Sequence, residues 1–112
     1  MASVFMMRHH GVLCAVPAAQ VISVLTVSGD TEPLELWPDS HPRPPERHLH
    51  VRTARGERSM SCTEPRLMKL AAGEVFALPP LVHRELERSF VVGVARVATD
   101  WSWLVDLERL SI

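Results

Sequence analysis

The apolar residues of this chain come in short runs separated by turn-forming residues, and the runs have the lengths of strands. VISVLTV, residues 21–27, is β-branched and apolar on both faces, which predicts a strand buried along most of its length. The turn signal Ser28-Gly29-Asp30-Thr31 follows, and Leu34, Leu36 and Trp37 predict a returning strand that completes a hairpin. RHLHVRT, residues 47–53, alternates: Leu49, Val51 and Thr53 point one way while His48, His50 and Arg52 point the other. A turn at 54–57 leads into RSMSC, with Met60 and Cys62 inward. RLMKL, VFAL and SFVVGVARV (residues 89–97) read as further strands, the first two separated by a turn at 71–74. GVLCAV, residues 11–16, reads as a short strand stopped by Pro17. In the tail, Trp103, Leu104, Leu107 and Leu110 have the spacing of a helical stripe, with Thr99 or Asp100 as its cap.

The expected fold is therefore mainly β: a small barrel or sandwich of six to eight short strands with one C-terminal α-helix packed on it. The domain is expected to span residues 11–112, preceded by a flexible or loosely packed N-terminus over 1–10. Residues 38–46 carry Pro38, Pro42, Pro44 and Pro45, which remove amide donors and hold their neighbours extended. They predict a stiff surface arm. LVHRELER, residues 81–88, fits one helical turn with a solvated charged face.

Composition narrows the function classes. At 112 residues, 46% hydrophobic and a net charge of −1, the chain suits one globular domain and has no overall basic field. Lys69 is the only lysine beside eleven arginines, and asparagine and tyrosine are absent, a skew that fits a GC-rich coding sequence. Arg8, His9 and His10 split the first apolar run, so no signal peptide is expected, and no stretch approaches the ~20 apolar residues of a membrane helix. The expected setting is the cytoplasm or another intracellular space, without membrane contact. Cys14 and Cys62 are expected to be buried free thiols. No Gly-x-Ser-x-Gly sequence and no glycine-rich phosphate loop is present.

Two constellations remain. His48 and His50 share one strand face, roughly 6.6–7 Å apart along the chain, a spacing at which two imidazoles can ligate one zinc or iron ion. A third ligand could be His83, Glu57 or His41. HLH followed by AAGEVFALPPLVH resembles the two motifs of the cupin family, with Gly73, Pro79 and His83 near the positions of the second motif. That resemblance implies a small metal-binding protein or metal-dependent enzyme using His48, His50 and His83. The chain departs from the pattern where Leu81 stands for the turn glycine, His83 comes one residue early, and Glu57 lies too far past His50. DWSWLVDLERL is similar to the closing helix of pleckstrin-homology-type domains, which implies architecture and no ligand.

The second constellation is the arm. Trp37, His41, Arg43, Arg47 and Arg52 combine an aromatic anchor with guanidinium groups, the residue types that dominate protein contacts. Arg55 and Arg58 extend them into a stripe that could meet nucleic acid, although Glu46 and Glu57 dilute it and few aromatics are available for stacking. The favoured expectation is a non-enzymatic interaction or structural module without cofactor, a subunit of a larger assembly that binds a protein partner or itself through the Pro/Arg-rich arm.

Overall fold

The structure, a computed structural model, describes residues 2–26, 32–36, 47–77, 90–97 and 99–109. Eight strands form a sheet in the order β3-β4-β5-β1-β2-β8-β7-β6. They are β1 Ala2–His9, β2 Val12–Pro17, β3 Val21–Leu25, β4 Arg47–Thr53, β5 Gly56–Leu70, β6 Val75–Ala77, β7 Val91–Val97 and β8 Asp100–Val105. Every neighbouring pair is antiparallel except β2·β8, where Cys14 and Ala15 run parallel to Trp103 and Leu104.

Two apolar cores lie on opposite faces of the central strands. Met7, Cys14, Val16 and Val105 join Leu49, Val51, Met60, Cys62, Leu34, Leu36 and Leu107 in the first. Val4, Met6, Ala15, Leu70 and Ala95 form the second. Adjacent positions such as Met6 and Met7 thus enter different cores, because strand side chains alternate between faces. This explains why β1 and β2 show no polar face.

β5 serves both cores, and a bulge lets it do so. Its pairing with β1 shifts by one residue between Met6↔Arg66 and Arg8↔Thr63, and Glu64 there has φ +52°. The extra residue changes which face each later position occupies. Met60 and Cys62 therefore fill the first core, whereas Met68 and Leu70, at positions of the same parity, reach the second.

The expected alternation in β4 holds: Leu49, Val51 and Thr53 are buried, His48 and His50 are half-buried and Arg52 is exposed. The β4–β5 hairpin turns at 54–55, where Gly56 takes φ +106° and Thr53 Oγ1 donates to the Gly56 carbonyl at 2.8 Å.

Three expectations are corrected. The expected loose N-terminus over 1–10 is not found at 2–10: Ala2–His9 is the fourth strand in, with Val4, Met6, Met7 and His9 buried. The charged-looking Arg8-His9-His10 did not end the element, because His9 is fully hydrogen-bonded inside. The C-terminal α-helix is replaced by β8 and a 3-10 turn at Leu107–Arg109, and no α-helix occurs among the described residues. Non-local pairing of β8 with β2 and β7 outweighs the local helical spacing, and the tryptophans favour a strand. Finally, 32–36 does not form a hairpin with β3, whose partner is β4. Glu32 and Leu34 instead bond Ser59 of β5 on either side of a parallel bridge at Pro33. The arm at 38–46 and the LVHRELER segment lie outside the described residues.

Candidate functional site

The last three strands of the sheet expose an aromatic face. In β7 the register sets Val94 between Phe76 of β6 and Trp103 of β8, and Arg96 beside Trp101. Cross-strand partners project to the same side, so Phe76, Val94, Arg96, Trp101 and Trp103 share one surface. Their alternates Ala95, Val97, Ser102 and Leu104 pack on or around the second core, which fixes the direction of the face. Phe76, Trp101 and Trp103 are 43%, 55% and 38% exposed, large values for residues that usually bury most of their surface. The Phe76 and Trp101 rings lie 5.5 Å apart at a 52° tilt, reaching across β7. Strand β6 is the end of the sheet, and all three of its residues are exposed.

Gly93 lets this end form. A Cβ built there would sit 2.6 Å from the Phe76 carbonyl oxygen, so β6 can lie this close to β7 only across a glycine. Arg96 is exposed, and among the described residues no carboxylate pairs with it. The face therefore presents aromatic surface with a cation and no acidic side chain of its own. It can cover an apolar segment and attract a carboxylate.

The sequence-predicted residues are placed unevenly. Trp37, His41, Arg43 and His83 lie outside the described residues. Arg47 and Arg52 are exposed on β4, at the opposite end of the sheet from the aromatic face. His48 and His50 do share a face, and His50 Nε2 lies 3.1 Å from Glu57 Oε2 across the hairpin. Arg58 is ion-paired with Glu32 at 2.7 Å, which removes one member of the basic stripe. Among the described residues no group of three or more His, Cys, Asp and Glu could hold a metal ion. Both cysteines are free and buried. Burial pushes the Cys14 thiol up to about 12, and its Sγ lies 3.4 Å from the sulfur of Met7, so it behaves as a core group.

Sequence reasoning missed the aromatic face. The signal was the i, i+2 spacing of Trp101 and Trp103, which on a strand places both on one side.

No protein-family model matches the chain, and no curated protein matches it. Among solved structures, the scaffolding protein TtCheW from Thermoanaerobacter tengcongensis is similar, with a TM-score of 0.68 over 99% of this chain and 93% of that one. The fold is CheW-like. At 10% identity the likeness is one of fold. No described helix is long and apolar enough to cross a membrane.

Proposed function

We propose that the protein is a non-enzymatic interaction module that acts as a scaffold-type subunit of a larger assembly, with the β6–β7–β8 face as a principal contact. The observation that carries this reading is the cluster of Phe76, Trp101 and Trp103, exposed together on a sheet end whose strands are paired through β7. Aromatic side chains beside an arginine are the composition of interface centres. The fold supports it, since the similar solved structure is named as a scaffolding protein. The Pro/Arg-rich arm at 38–46 supplies a second contact, with His41 and Arg43 on it, Trp37 at its base and Arg47 and Arg52 beyond it; its proline content suits docking.

The test is the size of the protein in its own cell extract. Tagged wild-type protein elutes from a sizing column well above monomer mass, and a Phe76→Ser, Trp101→Ser double variant with unchanged circular dichroism elutes as the monomer. A wild-type protein that already runs as a monomer there would falsify the module reading. Trp37→Ala reports the arm's share in the same assay. The metal-binding alternative on His48, His50 and His83, with one zinc or iron ion, is favoured by the shared face of the first two. It is read separately, by native mass spectrometry of the purified protein before and after His48→Ala, His50→Ala.

A further inference from the structure

His9 occupies a gap in the sheet. Beyond Thr63, β5 no longer pairs with β1, which ends at His9 and turns through His10 and Gly11 at φ +52° and +82°. Four residues back, at Ser59, the same strand bonds the 32–36 segment. Ser61 falls between these two partners, and the His9 imidazole fills the interval. Its Nδ1 lies 2.6 Å from the Ser61 carbonyl oxygen, and the Leu36 amide donates to its Nε2 at 3.1 Å. An amide N–H can only donate, so Nε2 must be the bare nitrogen and Nδ1 must carry the proton. The ring is fully buried and both of its nitrogens are satisfied in that one form.

We propose that His9 is a clip that fastens the 32–36 segment to β5 solely in the neutral Nδ1–H form, so that acid frees this segment while the sheet stays folded. A proton on Nε2 would face the Leu36 N–H across 3.1 Å and remove that bond. The titratable groups near the ring are His10 in the β1–β2 turn, with its ring centroid 4.2 Å away, Cys14 on β2, whose thiol meets the His9 backbone, and Cys62 on β5 beside Cys14. Glu32 and Glu35 of the clipped segment are exposed and bring no counter-charge to the ring. Burial, reinforced by His10, lowers the His9 pKa from 6.5 to about 4 despite the Ser61 bond, which places the release near pH 4.

The experiment is NMR on the intact protein. Near neutrality the His9 side-chain nitrogens show the Nδ1–H tautomer. As the pH is lowered to about 4, the protection of the Leu36 amide against exchange falls about tenfold further than that of the Leu49 and Val51 amides in β4. A His9→Gln variant, which takes up no proton, keeps Leu36 protection level with the β4 amides over the same range. An Nε2–H tautomer at neutrality overturns the proposal, as does loss of Leu36 protection in step with β4. If the variant does not fold, the wild-type tautomer and exchange profile decide alone.

Discussion

The two ends of the sheet treat the same face in opposite ways. At the β3–β4–β5 end, Leu49, Val51 and Met60 are roofed by Leu34, Leu36 and Leu107 and lose all contact with water. The roof is pinned by polar clasps. Gln20 Nε2 donates to Asp106 Oδ1 at 2.6 Å, and the Leu107 amide donates to Gln20 Oε1 at 2.8 Å. At the β6–β7–β8 end, the same face runs out past Val105 to Trp103, Trp101 and Phe76, which stand exposed. The contrast teaches that side-chain type alone does not decide burial here. What decides it is whether a segment with satisfied backbone groups is laid across the strands. Covered residues build stability, whereas the uncovered ones are available to a partner.

Substitutions at the two ends should therefore separate stability from association. The largest effect is expected from Met60→Ala under the roof, a loss of about 2–5 kcal/mol in urea unfolding. A loss below about 1 kcal/mol would show that the roof closes over the cavity and would weaken the contrast.

Next comes pH. Because the folded state holds His9 at about 4 against 6.5, the unfolded chain binds more protons between those values. Stability from this group is therefore complete above about pH 6.5 and declines towards about pH 4, by about 3 kcal/mol in all. His9→Gln should flatten that slope in denaturation curves collected across the range.

Gly93→Ala comes third. Its methyl meets backbone of β6, which can move only by loosening the edge, at a cost of about 1–3 kcal/mol. Exchange of β6 amides should rise while those of β4 stay protected, and equal changes in both would contradict two independent ends. The smallest stability effect, about 0.5–1 kcal/mol, is expected from Trp101→Ser, whose ring lies by Phe76 and Arg96 and is 55% exposed. Its effect on assembly size should nevertheless exceed that of Met60→Ala at temperatures where both variants are folded.

Much of the β architecture was legible because β4 and β7 carry their pattern locally. Leu49 and Val51 alternate with two histidines, and the histidines do fall on the outer side. β1 was illegible for a physical reason. A strand with a core on each face has no polar stripe, and His9 looks like a surface residue until its two hydrogen-bond partners, 27 and 52 residues away, are in place. β8 failed similarly, since its parallel contact with β2 spans most of the chain and leaves no local trace. The aromatic face was half legible: a helical reading placed Trp103 in a packed stripe and gave Trp101 no role. Of the contact residues predicted around the arm, Arg47 and Arg52 alone are placed, both at the surface of β4.

The bulge at Glu64 gives β5 a phase, much as a reading frame does. Losing a single codon between Thr63 and Arg66 would take out the extra residue and leave a plain strand in the same register, whereas gaining one would re-phase everything that follows. Met68 and Leu70 would leave the second core, and Leu67 and Lys69 would be turned into it. The hairpin tip at 54–55 can gain a residue without that penalty, because no core position downstream depends on its count. Added residues should therefore be tolerated at the tip of this hairpin and purged from the middle of β5, a selection rule imposed by one left-handed residue.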